Sequence, residues 1–217
     1  LEAQKNFIKK KEGEIAFLKT HSANLEIKNF EYTNPKYTSG FIYIVRDPRD
    51  IVISWANHQN ITLDNAINFI INKETIVLSP RKTGNLEIDR LRIPMHISSW
   101  EQHFMSWTHL KVPRLIIRYE DMLQNTEGIL KSIIIFLENF FDFNFPNKKN
   151  LINNILLTTS FEEFKKNEQN TGFDESISTN NFFNSGQSGQ WKKVLSKKQI
   201  DKIEKNFYKT MGNLGYI

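Results

Sequence analysis

The chain contains no cysteine. Disulfides, thiolate metal sites, iron–sulfur clusters and cysteine nucleophiles are therefore excluded. No apolar run approaches the 18 residues or so that a membrane-spanning helix needs. Glycine and proline are sparse, at 9 and 6 of 217 residues, and no Ser/Gly/Pro-rich linker divides the sequence. There is no internal repeat. No pair of histidines or carboxylates has convincing metal-ligand spacing, so no metal site is expected. A G-x-x-x-x-G-K-[ST] loop is missing, which points away from an ATP-dependent kinase. No nucleic-acid module and no interleaved aromatic–basic stripe is present.

What is present is ordinary for a globular chain: 39% hydrophobic, 12% aromatic and 24% charged residues. A length of 217 residues predicts one domain, spanning 1–217, with a core large enough to need no staples. The net charge of +5 fits an anionic partner such as a phosphorylated cofactor, a nucleic acid or an anionic membrane. A lysine-rich solvated surface accounts for it equally well.

Apolar patterning predicts three short buried strands, at 15–20 (IAFLKT), 41–45 (FIYIV) and 114–118 (RLIIR). Residues 2–12 read as a solvated helix. Residues 22–40 are polar and irregular, with Asn34-Pro35 as a turn signal. Asp47-Pro48 opens a helix, with Asp47 as N-cap and Pro48 at the first position, running to about His58. Helical spacing returns across 62–73, 95–108, 125–141, 147–157 and 160–167. A loop covers about 168–190. Ser196 and Gln199 form a capping box for a last helix ending near Met211. Apolar strands separated by helices predict an α/β fold with a mostly parallel sheet flanked by helices.

Ligands of such sheets sit at the carboxyl ends of the strands. Three polar clusters fall there: Lys19-Thr20-His21, Arg46 to Asp50, and Tyr119-Glu120-Asp121. Arg46 leaves a strand just before a helix N-terminus, where free N–H groups and a guanidinium fork suit a phosphate. Ser54 lies two turns on and offers a hydroxyl. The competing reading is a surface Arg49–Asp50 ion pair with Ser54 as filler. Lys19 and His21 are two apart and, on a strand, share a face. A cation beside an imidazole suits a reaction that removes a proton while building negative charge. The competing reading is a structural histidine.

The order of F-L-K-T-H (17–21), Y-I-V-R-D-P-R-D-I-V-I-S-W (43–55), R-Y-E-D-M (118–122), T-S-F (159–161) and G-Q-S-G-Q-W-K (186–192) resembles the sulfotransferases that use 3′-phosphoadenosine 5′-phosphosulfate (PAPS). The resemblance spans roughly residues 15–215. It implies a three-layer, P-loop NTPase-like sulfotransferase fold and transfer of a sulfuryl group from PAPS to a hydroxyl or amine, releasing 3′,5′-ADP (PAP). It further implies that Arg46 and Ser54 hold the 3′-phosphate, that His21 is the general base and that Lys19 lines the reaction centre. Tyr119 matches a tyrosine near the adenine, and Thr159, Ser160 and Phe161 match the segment that cradles it. Glu120 and Asp121 read as structural support. The implied partner is a small-molecule or glycan acceptor, without metal, nucleic acid or membrane, in a cytoplasmic setting.

The sequence departs from the family pattern at two places. Where the family has Arg-Lys-Gly near the 3′-phosphate, this chain has Asn184-Ser185-Gly186, so that contact is expected to be weaker or to run through backbone and amide groups. Family members also carry a strand and a P-K-S-G-T-T-W loop that holds the 5′-phosphosulfate. Nothing in the 18 residues before Lys19 matches it, and the expectation is an N-terminally incomplete domain. The alternative function is a degenerate, non-catalytic PAP-binding or protein-interaction domain of the same fold. Residues 75–95 read as an insertion, either a lid or a passive surface excursion. The C-terminal K-x-x-x-T-V-x-x-x-E dimer motif is matched poorly by Lys192, Ser196, Lys197 and Asp201, so that dimer is not expected.

Overall fold

A computed structural model describes residues 15–78, 94–172 and 186–217. At its centre two strands, β3 (Phe41–Val45) and β6 (Arg114–Arg118), pair in parallel. Their register runs from Phe41 opposite Arg114 to Val45 opposite Arg118. Both strands thus end at one level, and the next residues, Arg46 and Tyr119, emerge side by side. β-branched and aromatic residues suit these strands. On β3, Ile42 and Ile44 are exposed, whereas Val45 on the other face is buried.

Two short antiparallel ladders lie outside this pair. β1 (Glu26–Ile27) pairs with β2 (Phe30–Glu31), and β4 (Ile76–Leu78) pairs with β5 (Pro94–His96). The irregular stretch expected at 22–40 therefore contains a small hairpin, turned by Lys28 and Asn29 at φ 51° and 66°.

Helix α1 (Pro48–Gln59) starts at Asp47, whose side chain accepts the Arg49 N–H, and stops at Asn60 in the left-handed conformation. Next come α2 (Leu63–Ile71) and α3 (Trp100–Thr108), capped by Thr62 and Ser99. The helix expected over 95–108 begins only at Trp100, because Pro94–His96 pair as a strand and Ser98 has φ 61°. After β6 come α4 (Tyr119–Gln124), α5 (Thr126–Phe141), α6 (Lys148–Thr158) and α7 (Phe161–Thr171). Helix α7 runs past the expected loop start at 168. A short α8 (Trp191–Val194) leads to α9 (Lys197–Asn213), which opens with the capping box of Ser196 and Gln199.

The core joins Val45 of β3, Val52 and Ala56 of α1, Ala66, Ile67 and Ile70 of α2, Trp100 of α3 and Ile203, Phe207 and Met211 of α9. Apolar residues at three- and four-residue spacing put these side chains on one stripe of each helix. The C-terminal helix thereby closes the core directly under the start of α1.

One expected strand is absent. Residues 15–20 form no helix or strand, with Phe17 and Leu18 67% and 60% exposed. A strand is defined by its ladder, and no described strand pairs with this segment. The expected helix at 2–12 and most of the expected insertion at 75–95 lie outside the described residues.

Candidate functional site

The N-terminus of α1 is built from buried charges. Arg49 is 4% exposed. Its Nε and Nη2 fork onto the Asp47 carboxylate, with contacts of 2.7 to 3.2 Å. Nη1 donates to Glu204 at 2.6 Å and Nη2 to the Tyr216 carbonyl at 2.8 Å. The guanidinium also lies 3.7 Å from the centre of the Trp191 ring. Burial alone would lower its pKa; the Asp47 and Glu204 carboxylates outweigh that and hold it above the usual arginine value.

Asp50 does different work. It is 2% exposed and accepts the N–H groups of Gly189 at 2.5 Å and Trp191 at 3.0 Å. The 186–191 segment is thus clamped against α1. The alternative of a surface Arg49–Asp50 ion pair is corrected: both groups are buried, and each anchors a different element. Glu120 completes the network by accepting the Asp47 N–H at 3.0 Å and the Tyr216 hydroxyl at 2.9 Å. This is the structural support expected of Glu120. Burial and the Glu120 charge both push the Tyr216 hydroxyl pKa up.

Arg46 sits beside this frame. Its guanidinium lies over the Tyr119 ring at 4.6 Å, and Nη2 donates to the Gln187 carbonyl at 3.1 Å. The Arg46 carbonyl accepts from Trp100 Nε1 at 3.1 Å. Nε of Arg46 is buried and has no partner among the described residues. A guanidinium is donor-only with five N–H groups. Placed by Tyr119 and Gln187, it keeps donors available for an anion.

A cavity of about 1780 Å³ brings the candidate residues together. Arg46, Ser54, Tyr119, Thr159, Ser160, Phe161 and Gly186 all line it, Arg46 against Tyr119 and Gly186 against Phe161. Lys19 and His21 line the same cavity. Trp55, Phe69, Ile70, Val77, Met95 and Ile97 add an apolar wall, with Trp55 and Phe69 stacked at 4.4 Å. Asn184 and Ser185 lie outside the described residues. Among the described residues no group of acidic or imidazole side chains could hold a metal ion.

Two details shape the Phe161 wall. Ser160 caps α7 by accepting the Glu163 N–H at 3.2 Å, and the Thr159 hydroxyl donates to the Ile155 carbonyl at 2.6 Å. Gly186 has φ +58°, and a Cβ there would meet the Phe161 ring at 2.7 Å. Glycine is favoured on both counts: this backbone is strained for a side chain, and a Cβ would crowd the Phe161 ring.

Lys19 and His21 are exposed and do not share a strand face, because no strand forms there. The segment is instead held from outside by α3 and β5. His103 Nε2 meets the His21 carbonyl at 3.2 Å. Trp107 Nε1 donates to the Ser22 carbonyl at 3.0 Å, Ala23 N–H to the His96 carbonyl at 2.7 Å, and Asn24 N–H to Ser106 Oγ at 3.0 Å. His103 also meets the Tyr43 hydroxyl, 2.7 Å from its Nδ1. Burial lowers the His103 pKa, with the neighbouring His21 charge adding to that against its backbone bonds; burial raises the Tyr43 pKa. Motif reading missed Asp50, His103 and Tyr43 as site builders. The spacing of His103 and Trp107 on one helix face, i and i+4, was the available signal.

Known proteins resemble this chain in sequence and in fold. A family model described as "Sulfotransferase domain" matches residues 6–215. Sulfotransferase 2A6 of Rattus norvegicus is 26% identical over 176 residues, covering 78% of this chain and 56% of that protein. Sulfotransferase 1A1 of the same organism is 25% identical over 177 residues, covering 78% of this chain and 55% of that one. The chain thus spans little more than half the length of these curated relatives. Among solved structures, mouse sulfotransferase SULT7A1 complexed with PAP is similar with a TM-score of 0.55 and 21% identity, over 82% of this chain and 59% of that one. Retinol dehydratase, solved with androsterone and inactive cofactor PAP, is similar with a TM-score of 0.53 and 18% identity, over 78% and 46%. These two likenesses show a shared fold.

Proposed function

Because the chain belongs to the sulfotransferase-domain family, we propose that its cavity is a sulfuryl-transfer site using PAPS and releasing PAP. The observation that carries this is Arg46, between β3 and the Asp47 cap of α1, its guanidinium over the Tyr119 ring and its buried Nε without a partner among the described residues. The donor set fits a 3′-phosphate through a guanidinium and the Ser54 hydroxyl; the N–H groups at the start of α1 are already taken by Asp47 and Glu120. Phe161 and Tyr119 offer ring faces to a purine, and Gly186 lets backbone approach it. Two PAP-bound structures of the same fold support the nucleotide class.

The nucleotide supplies the sulfuryl group. The chain's residues bind, orient and move a proton. Arg46 and Ser54 fix the 3′-phosphate, with Thr159, Ser160 and Phe161 around the adenine. His21 takes the proton from the acceptor hydroxyl or amine, and Lys19 supplies positive charge where negative charge builds. Positioning and charge stabilisation carry most of the catalysis in such transfers, as in phosphoryl transfer. The apolar wall of Trp55, Phe69, Val77 and Met95 fits an apolar small-molecule acceptor better than a glycan.

Calorimetry tests the reading. PAP is expected to bind roughly ten- to a hundred-fold more tightly than 5′-AMP, the scale of a charge-assisted contact. Arg46→Ala removes most of that preference, and Arg46→Lys restores only part because the fork is lost. Equal affinities for the two nucleotides overturn the 3′-phosphate assignment. Tight PAP binding without transfer to any hydroxyl or amine would instead favour a binding-only domain.

A further inference from the structure

Resting on the reading of His21 as the base, we propose that His103 is a positioning residue that fixes His21 relative to the anion end of the cavity. The evidence is a chain of two hydrogen bonds between elements that share no ladder. Tyr43 stands on β3, three residues before Arg46. Its hydroxyl lies 2.7 Å from His103 Nδ1, and His103 Nε2 lies 3.2 Å from the His21 carbonyl.

Chemistry fixes the direction of both bonds. A carbonyl only accepts, so Nε2 carries the proton and donates to His21. In the neutral ring Nδ1 then holds the lone pair and accepts the Tyr43 O–H. The tautomer is thus set by the His21 carbonyl, and Tyr43, on the strand that also delivers Arg46, donates to the remaining nitrogen; the ring ties that strand to the coil carrying His21. The coil has no ladder of its own to do this. Trp107, His96 and Ser106 hold Ser22, Ala23 and Asn24 and fix the course of the chain; His103 acts at His21 itself. The ring is packed edge-on against Tyr43 at 5.7 Å, which limits its swing.

The test compares two amides in place of the imidazole. A glutamine side chain is long enough to put its amide nitrogen where Nε2 lies, whereas an asparagine side chain reaches only the place of Nδ1. His103→Asn is expected to lower kcat by roughly ten- to a hundred-fold, the scale of misplacing a reacting group by about 1 Å. His103→Gln is expected to recover most of that loss, and Tyr43→Phe to show a smaller loss. PAP affinity is expected to stay at the wild-type value in all three. A purely structural role would lower stability and PAP affinity together and would not separate the glutamine variant from the asparagine one. The proposal is overturned if His103→Asn folds and keeps wild-type kcat, or if His103→Gln is no better than His103→Asn.

A second readout needs no turnover. In ¹⁵N-histidine spectra the wild type is expected to show His103 neutral with its proton on Nε2, and His21 ring signals are expected to shift in His103→Asn. Unmoved His21 signals overturn the proposal even for an inactive protein. The base reading fails separately, if His21→Asn retains full turnover.

Discussion

The two ends of the cavity are built by opposite means. At the Arg46 end, short-range sequence and buried charge do the work: Asp47 caps α1, Arg49 ties Asp47 to Glu204, and Asp50 and Glu120 hold the 186–191 segment and Tyr216. At the His21 end the residues are exposed coil, and neutral bonds from α3 and β5 fix the backbone. On the proposed function, the difference follows from what each end would hold. An anion site needs several fixed donors and a countercharge frame that does not relax. A base needs one ring at one place, which a few bonds to the main chain can supply.

The largest expected effect comes from breaking the charged frame. Arg49→Leu leaves the Asp47 carboxylate buried without its fork, and loss of one partner of a buried pair costs about 3–5 kcal/mol. Urea unfolding of the variant is the check; a loss under about 1 kcal/mol would mean that the frame is not what holds this end. Next comes Gly186→Ala, which forces a side chain into a left-handed backbone against Phe161. Strain of this kind costs about 1–3 kcal/mol. It is expected to fall mainly on PAP affinity, because the segment carrying Gly186 is pinned by Asp50 and cannot easily relax. Unchanged PAP binding with a normal Tm would show that Phe161 yields freely. The smallest effect is at the other end. Trp107→Phe keeps a ring against Phe41, whose centre lies 5.4 Å from that of the indole, and removes the bond to the Ser22 carbonyl. One neutral hydrogen bond is worth about 0.5–1.5 kcal/mol. Thermal unfolding measures it, and a cost near that of Arg49→Leu would erase the contrast between the two ends.

These differences also explain what could be read in advance. The α1 cap, strands β3 and β6 and the capping box of α9 follow from neighbours a few residues apart, and each forms where local chemistry places it. The run IAFLKT misled because its composition is strand-like, while a strand also needs a partner along its edge. Phe161 and Gly186 were legible as motif residues, but their closeness was not, because it joins two separate segments of the chain.

The sequence alone excluded cysteine chemistry, and its motifs singled out an arginine before a helix start, a histidine and a lysine as candidates. Local hydrogen bonding also determined where most helices begin, since a cap acts within one turn. Only the tertiary structure decided that Arg49 and Asp50 are buried anchors serving different elements, that the β3–β6 register sets Arg46 beside Tyr119, and that His103 reaches His21. Those facts depend on contacts between residues 60 to 167 positions apart. No local preference encodes such contacts; they are set when the helices pack their apolar stripes on one core.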